Sequence, residues 1–233
     1  MGVSKLTIAV PVYNERDRVE PALKELLATS LPVDTEIVVV DDGSVDGTAD
    51  LIDSLTLPDQ VRVIRHERNQ GKGAALRTAL GEATGDLFVP FDADLEYDPR
   101  DLALLLPPLL EGEADVVYGI RGFGSHTAFN FWYVIGNKFL NLWTNVLFNC
   151  FISDLETCYK MTRTDLLRSL DLRADGFDIE AEVTAKLLRA GHRPYEIPIT
   201  YKARTREQGK KISWRDGLIA LWTIAKIRFL PGR

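Results

Sequence analysis

The chain has 233 residues, 45% of them hydrophobic and 27% charged, which suits one soluble domain with a sizeable core, or a domain with an appendage. A formal charge of -6 argues against general nucleic-acid binding, and two cysteines, Cys150 and Cys158, exclude a disulfide framework and a cysteine-based zinc site. The charge is uneven, +7 over residues 191–233 against -13 before them, so an acidic body ends in a basic tail of the kind that meets phosphate or an anionic membrane surface.

The first half alternates strand and helix patterns. Residues 6–12 form a short apolar run, followed by helical spacing of Val19, Leu23, Leu26 and Leu27 over 18–27. Residues 36–40 read as a buried strand, 46–55 as a helix, 61–64 as a third strand and 72–82 as a third helix. A fourth strand covers 86–91, Pro99 begins another helix, and 115–118 make a fifth strand. Apolar strands separated by helices predict a parallel sheet covered on both faces, with ligands bound beyond the carboxyl ends of the strands. The second half is less regular. Residues 128–152 are almost free of charge, and Asn130, Asn137, Asn141, Asn145 and Asn149 make a polar stripe on an otherwise apolar, aromatic-rich helix. Residues 156–161 and 194–199 read as strands, and 163–170, 179–190 and 213–230 as helices, the last carrying Trp and basic residues. The cysteine usage fits a reducing cytoplasm; the N-terminus enters its first strand without a signal-peptide pattern, and no stretch reaches the roughly 18 uninterrupted apolar residues of a membrane span.

Asp92-Ala93-Asp94 after the fourth strand is the sharpest chemical signal. In an extended segment alternate side chains share a side, so both carboxylates can face one point, and Glu96 has the same parity. Like charges held that close call for a cation, and Mg²⁺ or Mn²⁺ bridging to a diphosphate takes this kind of ligand set. Asp41-Asp42-Gly43-Ser44 ends the second strand, where Asp and Ser can accept hydrogen bonds from base, ribose or helix amides. Asn69-Gln70-Gly71-Lys72-Gly73 opens a helix and offers amides and a cation to phosphate, without the spacing of a Walker A loop. Pro11-Val12-Tyr13-Asn14-Glu15 adds an aromatic face and a carboxylate beyond the first strand. The three histidines, His66, His126 and His192, are scattered and read as structural or solvated.

This ordered set resembles the motifs of family 2 glycosyltransferases, and more narrowly the dolichol-phosphate mannose synthase and polyprenyl-phosphate glycosyltransferase group. The match covers residues 5–120 well, with 154–159 and 201–216 extending it. The resemblance implies an α/β fold of the GT-A type, Rossmann-like, with a mostly parallel sheet, helices on both faces and amphipathic C-terminal helices. Residues 1–233 would form one catalytic domain: a nucleotide-sugar half (1–120), an acceptor half (121–200), and a basic loop with its helix (201–233). The implied reaction is metal-dependent, inverting transfer of a hexose from a GDP- or UDP-sugar to a polyprenyl or dolichyl phosphate.

By position, Pro11, Tyr13, Asn14, Glu15, Asp42, Lys72, Ala93, Lys210 and Lys211, with Asp92 and Asp94, would bind the nucleotide sugar. Asp92, Asp94 and Glu96 would hold Mg²⁺ or Mn²⁺, although a Gln often stands where this chain has Glu96. Arg121 matches a lipid-phosphate ligand, and Arg204, Lys210 and Lys211 would assist on acceptor or diphosphate. The Arg and Ser expected at the start of the next helix are not evident in residues 126–136. A sugar-hydroxyl acceptor would need a base instead, for which Asp154 and Glu156 are the candidates. The implied location is cytoplasmic and peripheral at the inner face of the membrane, through the aromatic helices or a separate membrane subunit. Two alternatives are a soluble family 2 transferase acting on a saccharide and a non-catalytic sugar-nucleotide-binding module.

Overall fold

The computed structural model describes residues 3–122, 131–203 and 214–230. Its strands are β1 (Lys5–Val12), β2 (Asp34–Asp41), β3 (Val61–Arg65), β4 (Leu87–Pro90), β5 (Val116–Ile120), β6 (Lys160–Arg163) and β7 (Tyr195–Pro198). They form one sheet in the order β3-β2-β1-β4-β6-β5-β7. Its helices are α1 (Arg16–Ala28), α2 (Thr48–Ser54), α3 (Lys72–Glu82), α4 (Leu102–Leu110), α5 (Phe131–Phe148), α6 (Thr164–Ser169), α7 (Ile179–Arg189) and α8 (Trp214–Phe229).

The two faces of the sheet are sorted by the alternation of side chains along each strand. Leu6, Ile8 and Val10 of β1 pack with Val19, Leu23 and Leu26 of α1 and with Leu102, Leu105 and Leu106 of α4. Ala9, Val38, Val40 and Phe88 point the other way, onto Ala75, Leu76 and Ala79 of α3 and Ile179, Val183 and Leu187 of α7. Central strands buried on both faces explain the unbroken run Ile37–Val40. A further layer lies outside α7, where Leu140 of α5 and Ala220, Ile224 and Ile227 of α8 pack on Ala181 and Ala185.

One expectation changes. The sheet is mostly parallel, but β6 runs antiparallel between β4 and β5. The strand expected over 156–161 begins only at Lys160, because the preceding residues are bound up as turns: Asn141 accepts from the Leu155 amide, and the Lys160 ammonium takes the carbonyls of Leu155 and Thr157. Since β6 is reversed, its leading segment 154–159 arrives at the edge where the parallel strands end.

The structure also orients α5, whose asparagine stripe faces inward. Asn141 is 9% exposed, donates to the Ser153 carbonyl and accepts from Leu155, while Asn145 exchanges hydrogen bonds with the backbone of Ile152. The apolar residues face out: Trp132 is 77% and Phe139 54% exposed, beside Leu142, Val146 and, on α8, Trp222.

Candidate active site

A cavity of about 450 Å³ opens beyond the carboxyl ends of the strands. The β1 end supplies Pro11, Val12, Tyr13 and Glu15, and the β2 end supplies Asp42. Asp42 is 2% exposed and held by three donors or partners: the Gln70 and Gly71 amides at 2.9 and 2.7 Å and His66 Nδ1 at 2.7 Å. His66 reaches Thr78 Oγ1 through Nε2, so its role is to brace Asp42, in line with a structural histidine. Asn14 does not line the cavity. It has a left-handed backbone (φ 52), takes Ser44 Oγ through its amide and accepts from the Val45 amide, joining the loops after β1 and β2.

The loop before α3 departs from expectation. The Gln70 and Gly71 amides are spent on Asp42, and the Ala74 amide on the Asp175 carbonyl. That loop is clamped against the chain at 174–176: a Cβ at Gly71, whose φ is +101°, would lie 2.2 Å from the Asp175 oxygen. The Gln70, Gly71 and Ala74 amides are therefore committed within the protein, while the helix also delivers a cation. Lys72 Nζ donates to Asp92 Oδ2 at 2.9 Å and lies 3.2 Å from Glu180 Oε1. Burial opposes its charge, but the surrounding negative groups together, the Asp92 carboxylate foremost, raise its pKa well above the ordinary value.

Asp92, Ala93 and Asp94 all line the cavity, but in a turn and not an extended strand. Leu95 is left-handed (φ 63), a costly conformation for an aliphatic residue, and it breaks the parity expected to align Glu96. Glu96 lines the cavity as well, with its carboxylate accepting from the Tyr201 hydroxyl, and the Glu96 amide caps Asp94 Oδ1 at 3.0 Å. No group of three or more metal-ligating side chains is gathered among the described residues. A hard cation on a diphosphate requires only one or two carboxylates beside phosphate oxygens, and Asp92 and Asp94 satisfy that need.

At the far end Arg121, just past β5, grips Asp154 through its amide, Nε and Nη2 at 3.0, 2.8 and 2.7 Å. The guanidinium lies 5.1 Å from the Tyr201 ring centroid and lines the cavity; Asp154 does not. The Asp154 carboxylate, expected as a candidate base, is thus engaged by Arg121 and lies outside the cavity lining. Glu156 does line the cavity, and burial pushes its carboxyl up to about 7 against the nearby Lys160 charge. Arg204, Lys210, Lys211 and His126 lie outside the described residues. Sequence reasoning missed Glu180, Phe177, Tyr97 and Tyr201 in the wall. An acidic residue in the first turn of an apolar-faced helix was the only available hint of Glu180, and it reads as an ordinary dipole partner.

The sequence profile described as "Glycosyl transferase family 2" matches residues 7–170, which carry all of the strand-end motifs. The chain belongs to this family. It is 32% identical over 84% of its length to the polyprenol monophosphomannose synthase of Mycolicibacterium smegmatis, covering 77% of that protein. It is 31% identical over 88% of its length to the undecaprenyl-phosphate mannosyltransferase of Micrococcus luteus, covering 86% of it. With the dolichol-phosphate mannosyltransferase of Pyrococcus furiosus identity is 28% over 88% of this chain and 59% of the relative. In fold the transferase resembles glucosyl-3-phosphoglycerate synthase of Mycobacterium tuberculosis, a structure with Mn²⁺ and uridine diphosphate, at a TM-score of 0.74 and 18% identity over 99% of this chain and 82% of that one. The expected GT-A architecture is thereby borne out.

Proposed function

We propose that this transferase moves a hexose from a GDP- or UDP-sugar to a polyprenyl or dolichyl phosphate. The observation that carries the reading is one cavity with paired carboxylates, Asp92 and Asp94, at its middle and the aimed guanidinium of Arg121 at its far end. Three relatives whose names specify polyprenol, dolichol or undecaprenyl phosphate support it.

Pro11, Tyr13, Glu15 and Asp42 would hold the nucleoside. Asp92 and Asp94 would hold Mg²⁺ or Mn²⁺, which when bound supplies positive charge for the departing diphosphate. Lys72, kept charged beside Asp92, adds a fixed cation at the same place. Arg121 would bind the acceptor phosphate with its free edge, while Asp154 fixes its plane. A phosphate oxygen already ionised at neutral pH attacks the anomeric carbon without a base, the bond to the diphosphate breaks, and the configuration inverts.

The outward face of α5 and α8 supports a lipid acceptor. All four tryptophans of the chain, Trp132, Trp143, Trp214 and Trp222, lie on these two helices with Phe131, Phe139 and Leu142 exposed beside them. Indole rings with nearby cations such as Arg215 and Arg228 suit the headgroup boundary of a bilayer. No helix among the described residues is long and apolar enough to cross a membrane, so the contact proposed is peripheral. A second reading, transfer to a sugar hydroxyl, is favoured by Glu156, whose pKa near 7 suits a base.

The test is a transfer assay with UDP- and GDP-hexoses, Mn²⁺ or Mg²⁺, and polyprenyl phosphate. A butanol-extractable labelled product, lost with EDTA and in Asp94→Ala, is expected. Donor turnover without a lipid product leaves the hydroxyl-acceptor reading, and nucleotide binding without turnover of any donor leaves a binding module.

A further inference from the structure

Two acidic side chains in the cavity wall have no part in transfer to a lipid phosphate as described above. Glu156 precedes β6 and Glu180 sits in the first turn of α7. Lys160, 2% exposed, fixes both: its ammonium takes the carbonyls of Leu155 and Thr157, on either side of Glu156, and the Glu180 Oε2 carboxylate oxygen. The backbone around Glu156 is thus tied down while its side chain borders the cavity. Glu156 Oε1 is buried with no hydrogen-bond partner among the described residues. Glu180 Oε1 likewise makes no aligned hydrogen bond, meeting only the Lys72 charge at 3.2 Å. Acceptor oxygens left this way in a cavity wall are costly unless a ligand supplies donors.

Their place in the sheet says what that ligand presents. Along the order β2-β1-β4-β6-β5 the cavity wall runs from Asp42 through Asp92 and Asp94 to Glu156, and then to Arg121. If the nucleoside lies at the β1 and β2 ends, the diphosphate at β4 and the acceptor phosphate at β5, the group over the head of β6 is the hexose in transit. A hexose is a ring of hydroxyl donors. We propose that Glu156 and Glu180 are the sugar-reading residues of this transferase, taking hydrogen bonds from hydroxyls of the hexose while Lys160 holds the pair in position. The inference rests on the transfer reading above and assigns its sugar subsite. A carboxyl poised between its two forms, as Glu156 is, can both accept from and donate to a hydroxyl, which suits this role.

The test compares binding of a free nucleoside diphosphate with binding of the whole nucleotide sugar, by titration calorimetry with Mn²⁺. Wild type, Glu156→Gln and Glu180→Gln are each titrated with UDP, GDP, their glucose and mannose conjugates, and monodeoxy forms of the preferred sugar. The expected result is diphosphate affinity within about twofold of wild type, with nucleotide-sugar affinity down about tenfold to a hundredfold. Removal of one particular hydroxyl should cost the wild type a similar factor and cost a variant nothing further. Parallel loss of diphosphate and sugar-nucleotide binding would overturn the proposal, since it would mark the two carboxylates as supports of the diphosphate site. Unchanged donor affinity with a collapsed kcat would overturn it too, in favour of a base. Should a variant fail to fold, wild type alone decides: indifference to every monodeoxy donor sinks the subsite. A wild type that binds no nucleotide sugar at all instead removes the transfer reading on which the subsite rests.

Discussion

α1 and α3, on opposite faces of the sheet, bury apolar side chains, whereas α5 buries a polar stripe beside Leu140. α1 and α3 turn Val19, Leu23, Leu26, Ala75 and Ala79 onto the sheet and leave charge outside. α5 turns Asn141 and Asn145 inward and leaves Trp132, Phe139 and Leu142 outside. The inner face of α5 meets an irregular segment, 150–155, whose backbone needs hydrogen-bond partners, and a sheet offers no such demand. The teaching is that amphipathicity reports two unlike surroundings without saying which is protein. In α5 the apolar surrounding is left to be supplied from elsewhere, and the polar one is the fold.

That contrast can be broken at four points. The motif-bearing side should fail chemically: Asp94→Ala is expected to lower transfer about a thousandfold in the steady-state assay, and unaltered transfer would dissolve the assignment of the cavity. At the join of the two sides, Arg121→Ala strands the buried Asp154 carboxylate. Stability measured by urea unfolding should fall by about 3 kcal/mol, with part of it regained in the Arg121→Ala, Asp154→Asn double variant. On the outer layer, Trp132→Ser combined with Trp222→Ser should leave unfolding within about 0.5 kcal/mol of wild type. Sedimentation with anionic vesicles should weaken about tenfold; equal vesicle binding would mean that this face meets something other than lipid.

The smallest effect concerns Glu156. Burial raises its pKa from 4.5 to about 7, so between those values the folded chain holds a proton that the unfolded chain has released. Its contribution to stability is complete below pH 4.5 and is lost as pH rises through 7. Glu156→Gln should therefore unfold at higher urea than wild type at pH 8, by about 1 kcal/mol, and at similar urea near pH 4.5. A difference of the same size at both values would trace the effect to packing and not to charge.

Much of the nucleotide side was legible because its signals are local. Apolar runs gave strand positions within one or two residues, and 72–82 was read to its ends, since α3 starts at a Gly with φ +101° and is carried by small and long-chain helix formers. The Asp92-Ala93-Asp94 motif was visible for the same reason. The turn that carries it was not: Leu95 is left-handed, and the residues after it are held by Tyr201, about a hundred residues away.

By itself, then, the sequence determined the alternation of strands and helices, the edge of the sheet where the motifs gather, and the family to which the chain belongs. Only the tertiary structure decided which way β6 runs, that Asp154 faces Arg121 and Glu156 faces the cavity, that the Gln70 and Gly71 amides go to Asp42, and that Glu180 stands in the wall. Strand order and direction, like the pairing of buried charges, depend on contacts between residues far apart in the chain. Periodicity and motif spacing carry no record of those contacts, because they are properties of neighbours along the backbone.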